Sequence, residues 1–441
     1  MNIKTYCSTL LLGAFSCLCV ASDISVASIE KDMQFLASDD LQGRLAGSPE
    51  IIIAEDYIAT QFKQAGLQPL NGLTSFKQKF TLHRYIPNNI TATLNSIKIA
   101  SQNIAFAGSA SSFEFTKDNT NISVVNDTDD LRSILSQANT NGGNIILLVN
   151  SAHAELFKRY KNHFSGGSQS IEERTSTALV MILTDTTNID DLLISGSIQH
   201  QQQELTNIIA VKPGSIKPEE YVVFSAHHDH IGTHAHTSES ANGKEDNIYN
   251  GANDDASGVS AVLNLARHYQ NIENKRSIMY VTFTAEESGL LGSRYFIQDI
   301  DASSIVAMLN IEMIGKPSEF GPGTFWMTGF ERSNLAQILN KNLNSIKQQV
   351  FADPYPKYKL FYRSDNASLA QLGVPAHSLS STQMSNDHDY HQVSDELATL
   401  DLKQMTQIVN AIAAASVSLI SGVDTPTRIE KVQPRTTGLI F

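Results

Sequence analysis

Beyond residue 225 the chain carries five short groups of imidazole and carboxylate side chains. His227-His228-Asp229-His230 closes the apolar run 220–226. Asp254-Asp255 stands inside Gly251–Gly258, at the entrance to a helical pattern. Glu286-Glu287 follows the run 277–284, and Glu312 follows 305–311. Asp387-His388-Asp389-Tyr390-His391 comes a short loop after 374–380. Any one group has an ordinary explanation: a satisfied core histidine, an aspartate capping a helix, a glutamate pair at a solvated helix start. Taken together they do not, because charged side chains seldom sit at the ends of buried strands unless something pairs with them. Imidazoles and carboxylates without thiolates are the donors of a zinc or similar divalent site.

The elements that must position these groups are legible from patterning. Runs at 207–212, 220–226, 277–284, 305–311 and 374–380 are short and nearly continuously apolar, as in strands buried on both faces of a sheet. Helices are predicted at 26–36, 50–66, 256–270 and 402–420. In the third, Val259, Val262, Leu263, Ala266 and Tyr269 recur at helical spacing. This is an α/β pattern, and ligands of such sheets gather at the carboxyl ends of the strands, where the polar groups stand. The stretch 76–205 differs: it is rich in Asn, Ser and Thr, with β-like runs at 122–125, 144–149 and 178–183 and a helix around Leu156 and Tyr160. It reads as an inserted β-rich accessory domain dividing a catalytic domain of 22–75 and 206–421. Residues 422–441 read as an exposed or docked tail.

Composition bounds the function. With 441 residues, 41% hydrophobic and 17% charged, the chain is globular rather than disordered. A formal charge of −13 argues against nucleic-acid partners. All three cysteines, Cys7, Cys17 and Cys19, lie in the first nineteen residues, so no disulfide scaffold or thiolate metal site can form downstream. Residues 1–21 read as a cleaved signal peptide: Lys4, the apolar run Leu10–Phe15, and small residues up to Ala21. That run is too short for a membrane anchor, and Ala14-Phe15-Ser16 is a poor match to a lipoprotein triplet before Cys17. The expectation is a periplasmic or extracellular protein with no stable membrane insertion after cleavage.

The segments Ala226–Gly232, Gly251–Gly258, Ala285–Ser293, Leu309–Gly315 and Tyr390–Glu396 resemble, in the same order, the motif series of the secreted bacterial co-catalytic two-zinc aminopeptidases, leucyl-aminopeptidase-like zinc exopeptidases. Gly43–Ser48, Phe361–Asn366 and Gly373–Ala376 resemble further recurring segments of that family, and 76–205 resembles the protease-associated domain some members carry there. The resemblance covers 26–75 and 206–421. It implies a three-layer zinc-exopeptidase fold with a mostly parallel central sheet flanked by helices. It also implies two Zn2+ per chain, peptide substrates and a cis peptide at Asp254–Asp255. Carried over residue by residue, it makes His227 and Glu312 ligands of a first metal, Asp254 the bridge, and Glu287 and His391 ligands of a second. Glu286 becomes the catalytic carboxylate, and Asp229 orients His227. The family usually has aspartate where this chain has Glu312, a longer arm that puts metal spacing in question.

The resulting expectation is a secreted metallo-exopeptidase hydrolysing N-terminal residues. A carboxypeptidase or dipeptidase of the same fold, a glutaminyl-cyclase-like enzyme and an inactive binding module are the alternatives. His228, His230, His234 and His236 read as a polar loop over the cleft, with an accessory metal site as the competing reading. His377 and His388 read as residues behind the ligands or on the surface. Arg363 could anchor a substrate carboxylate or neutralise Asp365, the latter preferred. Side-chain preference and oligomeric state are not encoded in any pattern found.

Overall fold

The computed structural model describes residues 24–432 and 440, so the predicted signal peptide 1–21 and the three cysteines lie outside the described residues. The predicted helices form at Val26–Leu36, Pro49–Gln64, Ser257–Tyr269 and Leu402–Ile420. Local chemistry explains their starts. The Ser48 hydroxyl accepts from the Ile51 N–H with Pro49 in the first turn, and Asp401 accepts from the Lys403 and Gln404 N–H groups.

Among the described residues, 12 strands form one mixed sheet. Its main path runs Val350–Ala352, Phe325–Met327, Ala376–Ser380, Ile305–Ile311, Lys217–His227, Arg276–Phe283, Leu192–Lys212, Lys77–Leu94 and Ile97–Lys98. Alternating side chains feed two cores. Ile208, Phe224, Tyr280 and Leu309 pack with Ile29, Ile58, Val262 and Ile412 from the four helices above. Ile209, Val223, Met279 and Met308 face the other way, against Phe296 and Leu369 of helices Leu291–Phe296 and Asn366–Gln371. Burial on both faces is the reason these strands read as unbroken apolar runs.

The expectation of a mostly parallel sheet needs correction. Arg276–Phe283, Lys217–His227, Ile305–Ile311 and Ala376–Ser380 are parallel neighbours. On either side of them the pairing turns antiparallel, with Leu192–Lys212 on Arg276–Phe283, Lys77–Leu94 on Leu192–Lys212, and Phe325–Met327 on Ala376–Ser380, while the edge pair Phe325–Met327 and Val350–Ala352 is parallel again. Parallel pairing needs long crossovers, which helices supply at the centre and, through Leu335–Leu343, at the Phe325–Met327 edge. The antiparallel ribbon of Lys77–Leu94 and Leu192–Lys212 pairs from Leu192↔Leu94 to Ile208↔Lys77. It carries the chain out to a separate four-stranded sheet, Ile104–Gly108, Ala178–Leu183, Ile145–Val149 and Asn121–Val125, with helices Leu131–Asn141 and Ala154–Ser165. The second ribbon strand therefore runs straight through position 205, where the composition had placed a boundary. Its middle stretch, Gln199-His200-Gln201-Gln202-Gln203, has no apolar run to announce a strand. In the tail, Ile429 is buried in the central core and Ile440 in that of the smaller sheet. No described helix is long and apolar enough to cross a membrane.

Candidate metal centre

His227 is the last residue of strand Lys217–His227, and its side chain is fully enclosed. Its Nε2 lies 3.1 Å from Asp254 Oδ1 and 3.3 Å from Glu312 Oε1. Its Nδ1 faces the other way, 3.2 Å from the Asp229 carbonyl oxygen and 3.7 Å from Asp229 Oδ1. Asp254 sits in the tight turn Ala252–Ala256 before helix Ser257–Tyr269, and the peptide Asp254–Asp255 is cis. Its second oxygen, Oδ2, lies 3.3 Å from His391 Nε2, which in turn is 3.1 Å from Glu287 Oε2. One carboxylate thus faces two donor groups at once.

The supports of these side chains come from distant segments. Asp229 accepts from the Glu286 N–H at 3.1 Å and the Glu287 N–H at 3.4 Å, so it ties the glutamate pair to the His227 loop. Asp395 accepts from the Asn253 and Asp254 N–H groups at 2.9 and 3.1 Å. Ser364 Oγ donates to Glu312 Oε2 at 2.5 Å, which steadies the longer glutamate arm so that its other oxygen still reaches His227. Lys316 Nζ binds Asp387 at 2.5 Å and Asp389 at 2.6 Å, pinning the loop that presents His391. Arg44 is buried and donates to four carbonyls: Leu36, His228, Asn250 and Gly251. Gly43 cannot be replaced without collision, since a Cβ there would stand 2.5 Å from the carbonyl oxygens of Gly232 and Tyr249.

The electrostatics are those of a crowded anionic pocket. Burial opposes protonation of His227, yet the Glu312 and Glu286 charges raise its pKa well above the ordinary value. Burial likewise works against His391, but the adjoining Asp254 and Glu287 push it up to about 10. Burial disfavours ionised Asp254 as well, and His227 and His391 hold its pKa far below the usual range. Burial, with Glu312 nearby, raises Glu286 well above the ordinary carboxylate value. Protons on these imidazoles stand where a dication would neutralise the same carboxylates.

The donor set fits a divalent metal. His227, Asp254 and Glu312 form one group whose donor atoms all lie within 4.8 Å of one another, and His230, Asp254 and Glu287 form another. The atoms His230 Nδ1, Glu287 Oε1 and His391 Nε2 are buried without a hydrogen-bond partner, an arrangement that costs free energy unless an ion takes them up. A cleft of about 320 Å³ opens over them, walled by Leu45, Ala46, Ile231 and Ser288.

The sequence-predicted residues His227, Asp229, Asp254, Glu286, Glu287, Glu312 and His391 therefore converge from separate segments of the chain. Several neighbouring readings change. His230 is not part of a polar loop over the cleft but is buried inside the centre, and only the strand Gly232–Glu239 beyond it is exposed. His228 is a core histidine, its Nδ1 3.1 Å from Thr282 Oγ1 and its pKa lowered to about 3 by burial. Arg363 is exposed, and among the described residues no ion pair joins it to Asp365. The Asp365 carboxyl is wholly buried without a hydrogen-bond partner, and burial raises its pKa to about 8. Arg44 and Asp395 had no assigned role. Both lie in motif segments, but no spacing tells a support from a bystander.

His377 is buried away from the cleft, its Nδ1 2.7 Å from the Thr328 carbonyl oxygen and its Nε2 3.2 Å from Ser333 Oγ; His388 is on the surface. Burial lowers the His377 pKa to about 4. Its neutral ring favours the folded state fully above the unfolded value of about 6.5, and that contribution is lost as pH falls towards about 4. The loss should approach roughly 3 kcal/mol. Urea unfolding at about pH 7 and about pH 4.5 should show a smaller pH dependence in His377→Gln than in the parent. Equal slopes would refute the assignment.

Fold and site together define a mixed α/β protein with a buried imidazole–carboxylate centre suited to divalent metal. Residues 207–416, just under half of the chain, match peptidase family M28, and over that stretch the chain is M28-peptidase-like. A probable zinc metalloprotease of Pyrenophora tritici-repentis is 34% identical over 113 residues, covering 25% of this chain and 24% of that protein. Leucine aminopeptidase 1 of the same organism is 26% identical over 291 residues, 61% of this chain and 69% of that one. The chain thus spans about a quarter of the length of the first curated relatives it matches. Among solved structures, BSAP, a zinc aminopeptidase from Bacillus subtilis, superposes with a TM-score of 0.54 at 15% identity over 95% of this chain and 98% of that one, a likeness of fold.

Proposed function

We propose that this chain is a zinc-dependent aminopeptidase that removes N-terminal residues from peptides. The observation that carries the reading is the double reach of Asp254: Oδ1 towards His227 and Oδ2 towards His391, at 3.1 and 3.3 Å. A carboxylate facing two imidazole–carboxylate groups is what a pair of ions requires of a bridge. On this reading His227 and Glu312 would hold one ion, Glu287 and His391 the other, and Asp254 would contribute to both. What bound zinc supplies there is an acidified water and a polarised scissile carbonyl.

The remaining work falls to the chain. Glu286 adjoins Glu287, but among the described residues no imidazole pairs with its carboxylate as His227 does with Glu312 and His391 with Glu287. It is free to take the proton of the attacking water and deliver it to the leaving amine. Asp229 fixes the His227 ring and, through the Glu286 and Glu287 N–H groups, the position of the base. Leu45, Ala46 and Ile231 line an apolar wall of the cleft that excludes water from the substrate side chain. We place the enzyme in the periplasm or outside the cell, with 1–21 as its leader, and 76–205 as an accessory module on the antiparallel ribbon.

The test is metal analysis coupled to a screen of aminoacyl and carboxyl-terminal chromogenic substrates, with and without chelator. About two zinc per chain and chelator-sensitive cleavage of aminoacyl substrates are expected. Cleavage confined to carboxyl-terminal substrates would replace aminopeptidase by carboxypeptidase. One ion per chain and no peptidase activity would overturn the proposal.

A further inference from the structure

We propose that His230 is a fourth protein ligand at the second position, beside Asp254, Glu287 and His391. The inference deepens the metal-centre reading above and rests on it. His230 Nδ1 and Glu287 Oε1 stand 2.9 Å apart, both enclosed, yet neither atom has a hydrogen-bond partner. The two atoms meet at ion-pair distance but without the alignment of a hydrogen bond, and an ion between their lone pairs would satisfy both. The same pair forms a compact donor group with Asp254, all within 4.8 Å.

The ring is held in place to do this. The His230 N–H donates to the Arg44 carbonyl oxygen at 3.1 Å, and His230 pairs with Leu45 in an isolated parallel bridge. Gly251 lies flat against the imidazole: a Cβ there would come within 2.5 Å of His230 Cγ and 2.6 Å of Cδ2. On the far side the His391 ring meets it edge-on, with centroids 5.7 Å apart. The ring is enclosed, with His230 only 1% exposed.

The two positions then differ in kind. The first has one imidazole and two carboxylates, His227, Asp254 and Glu312. The second has two imidazoles and two carboxylates. Four protein ligands make a filled, firmly held site, whereas three leave a place open for water or substrate. The second position should therefore fill first and release its ion last, and the open coordination place belongs to the first.

The test reads metal, not turnover. X-ray absorption of the zinc-loaded wild-type chain should count three imidazoles shared by two ions; two imidazoles would overturn the proposal without any variant. Competition titration with a chromophoric chelator should show His230→Ala and His230→Asn both losing affinity for one ion by more than the 10–100-fold typical of residues that only orient a ligand. Asparagine can still donate a hydrogen bond to Glu287 from the Nδ1 place but does not ligate zinc. Recovery in His230→Asn would make His230 a positioning residue and refute ligation. Wild-type affinity in both variants would refute any role at the metal. A wild-type chain that binds no zinc would sink the underlying metal reading itself, a result distinct from the others.

Discussion

Glu286→Gln is expected to lower hydrolysis of aminoacyl substrates by roughly 10²–10⁴-fold, the usual contribution of a positioned proton-transfer group. Zinc content should stay at the wild-type level. The amide keeps the size of the carboxyl and leaves the imidazole contacts of Glu287 and Glu312 untouched. It removes the acceptor for the water proton. The adjacent substitution, Glu287→Gln, should behave oppositely, because Glu287 Oε2 stands 3.1 Å from His391 Nε2 and its loss should show first in metal affinity. Assay of both variants beside zinc analysis separates the roles. Full activity in Glu286→Gln would remove Glu286 from the mechanism, and zinc loss in the same variant would move it into the ligand set.

The second large effect is on stability. Arg44→Ala should destabilise the fold by about 3–5 kcal/mol, because each buried acceptor left without its partner costs about 1–3 kcal/mol. The guanidinium joins the end of helix Val26–Leu36, through the Leu36 carbonyl, to the His228 loop and to Asn250–Gly251 just before Asp254. Its deletion strands four buried carbonyls and frees the two loops that hold His227, His230 and Asp254. Burial lowers the Arg44 pKa, while Asp229 and Asp395 favour its charge, so the cation also tempers the anionic pocket behind the ligands. Arg44→Lys should recover less than half of the loss, because one ammonium cannot span the positions a planar fork reaches. Urea unfolding measures both. A change within about 1 kcal/mol for Arg44→Ala, the size of a surface substitution, would refute the bracing role.

Much of the chemistry was readable before folding is considered. The strands that end at His227, before Glu286 and before Glu312 are announced by apolar runs, because burial on both faces leaves no polar alternation. The helix after Asp254 is announced by Val259, Val262 and Ala266 on one face. Donor types survive in one dimension: carboxylate and imidazole without sulfur point to a hard or borderline divalent ion wherever the chain brings them. The ribbon strand Leu192–Lys212 was only half visible, since its polar outer length pairs through backbone groups that leave no side-chain pattern.

By itself, then, the sequence determined the kind of donors, their order along the chain and the strand ends that present them, because these follow from residue type and local period. Tertiary structure alone decided which of the histidines beyond His227, up to residue 236, belong to the centre. His227 and His230 turn inward, His228 enters the core and His234 is exposed on its strand, a sorting set by the twist of the loop past Gly251 and Leu45. It also decided that Arg44 and Asp395, far apart in the chain, act as braces for the same turn at Asp254. Bracing is a relation between segments over 140 residues or more, and no local period records it.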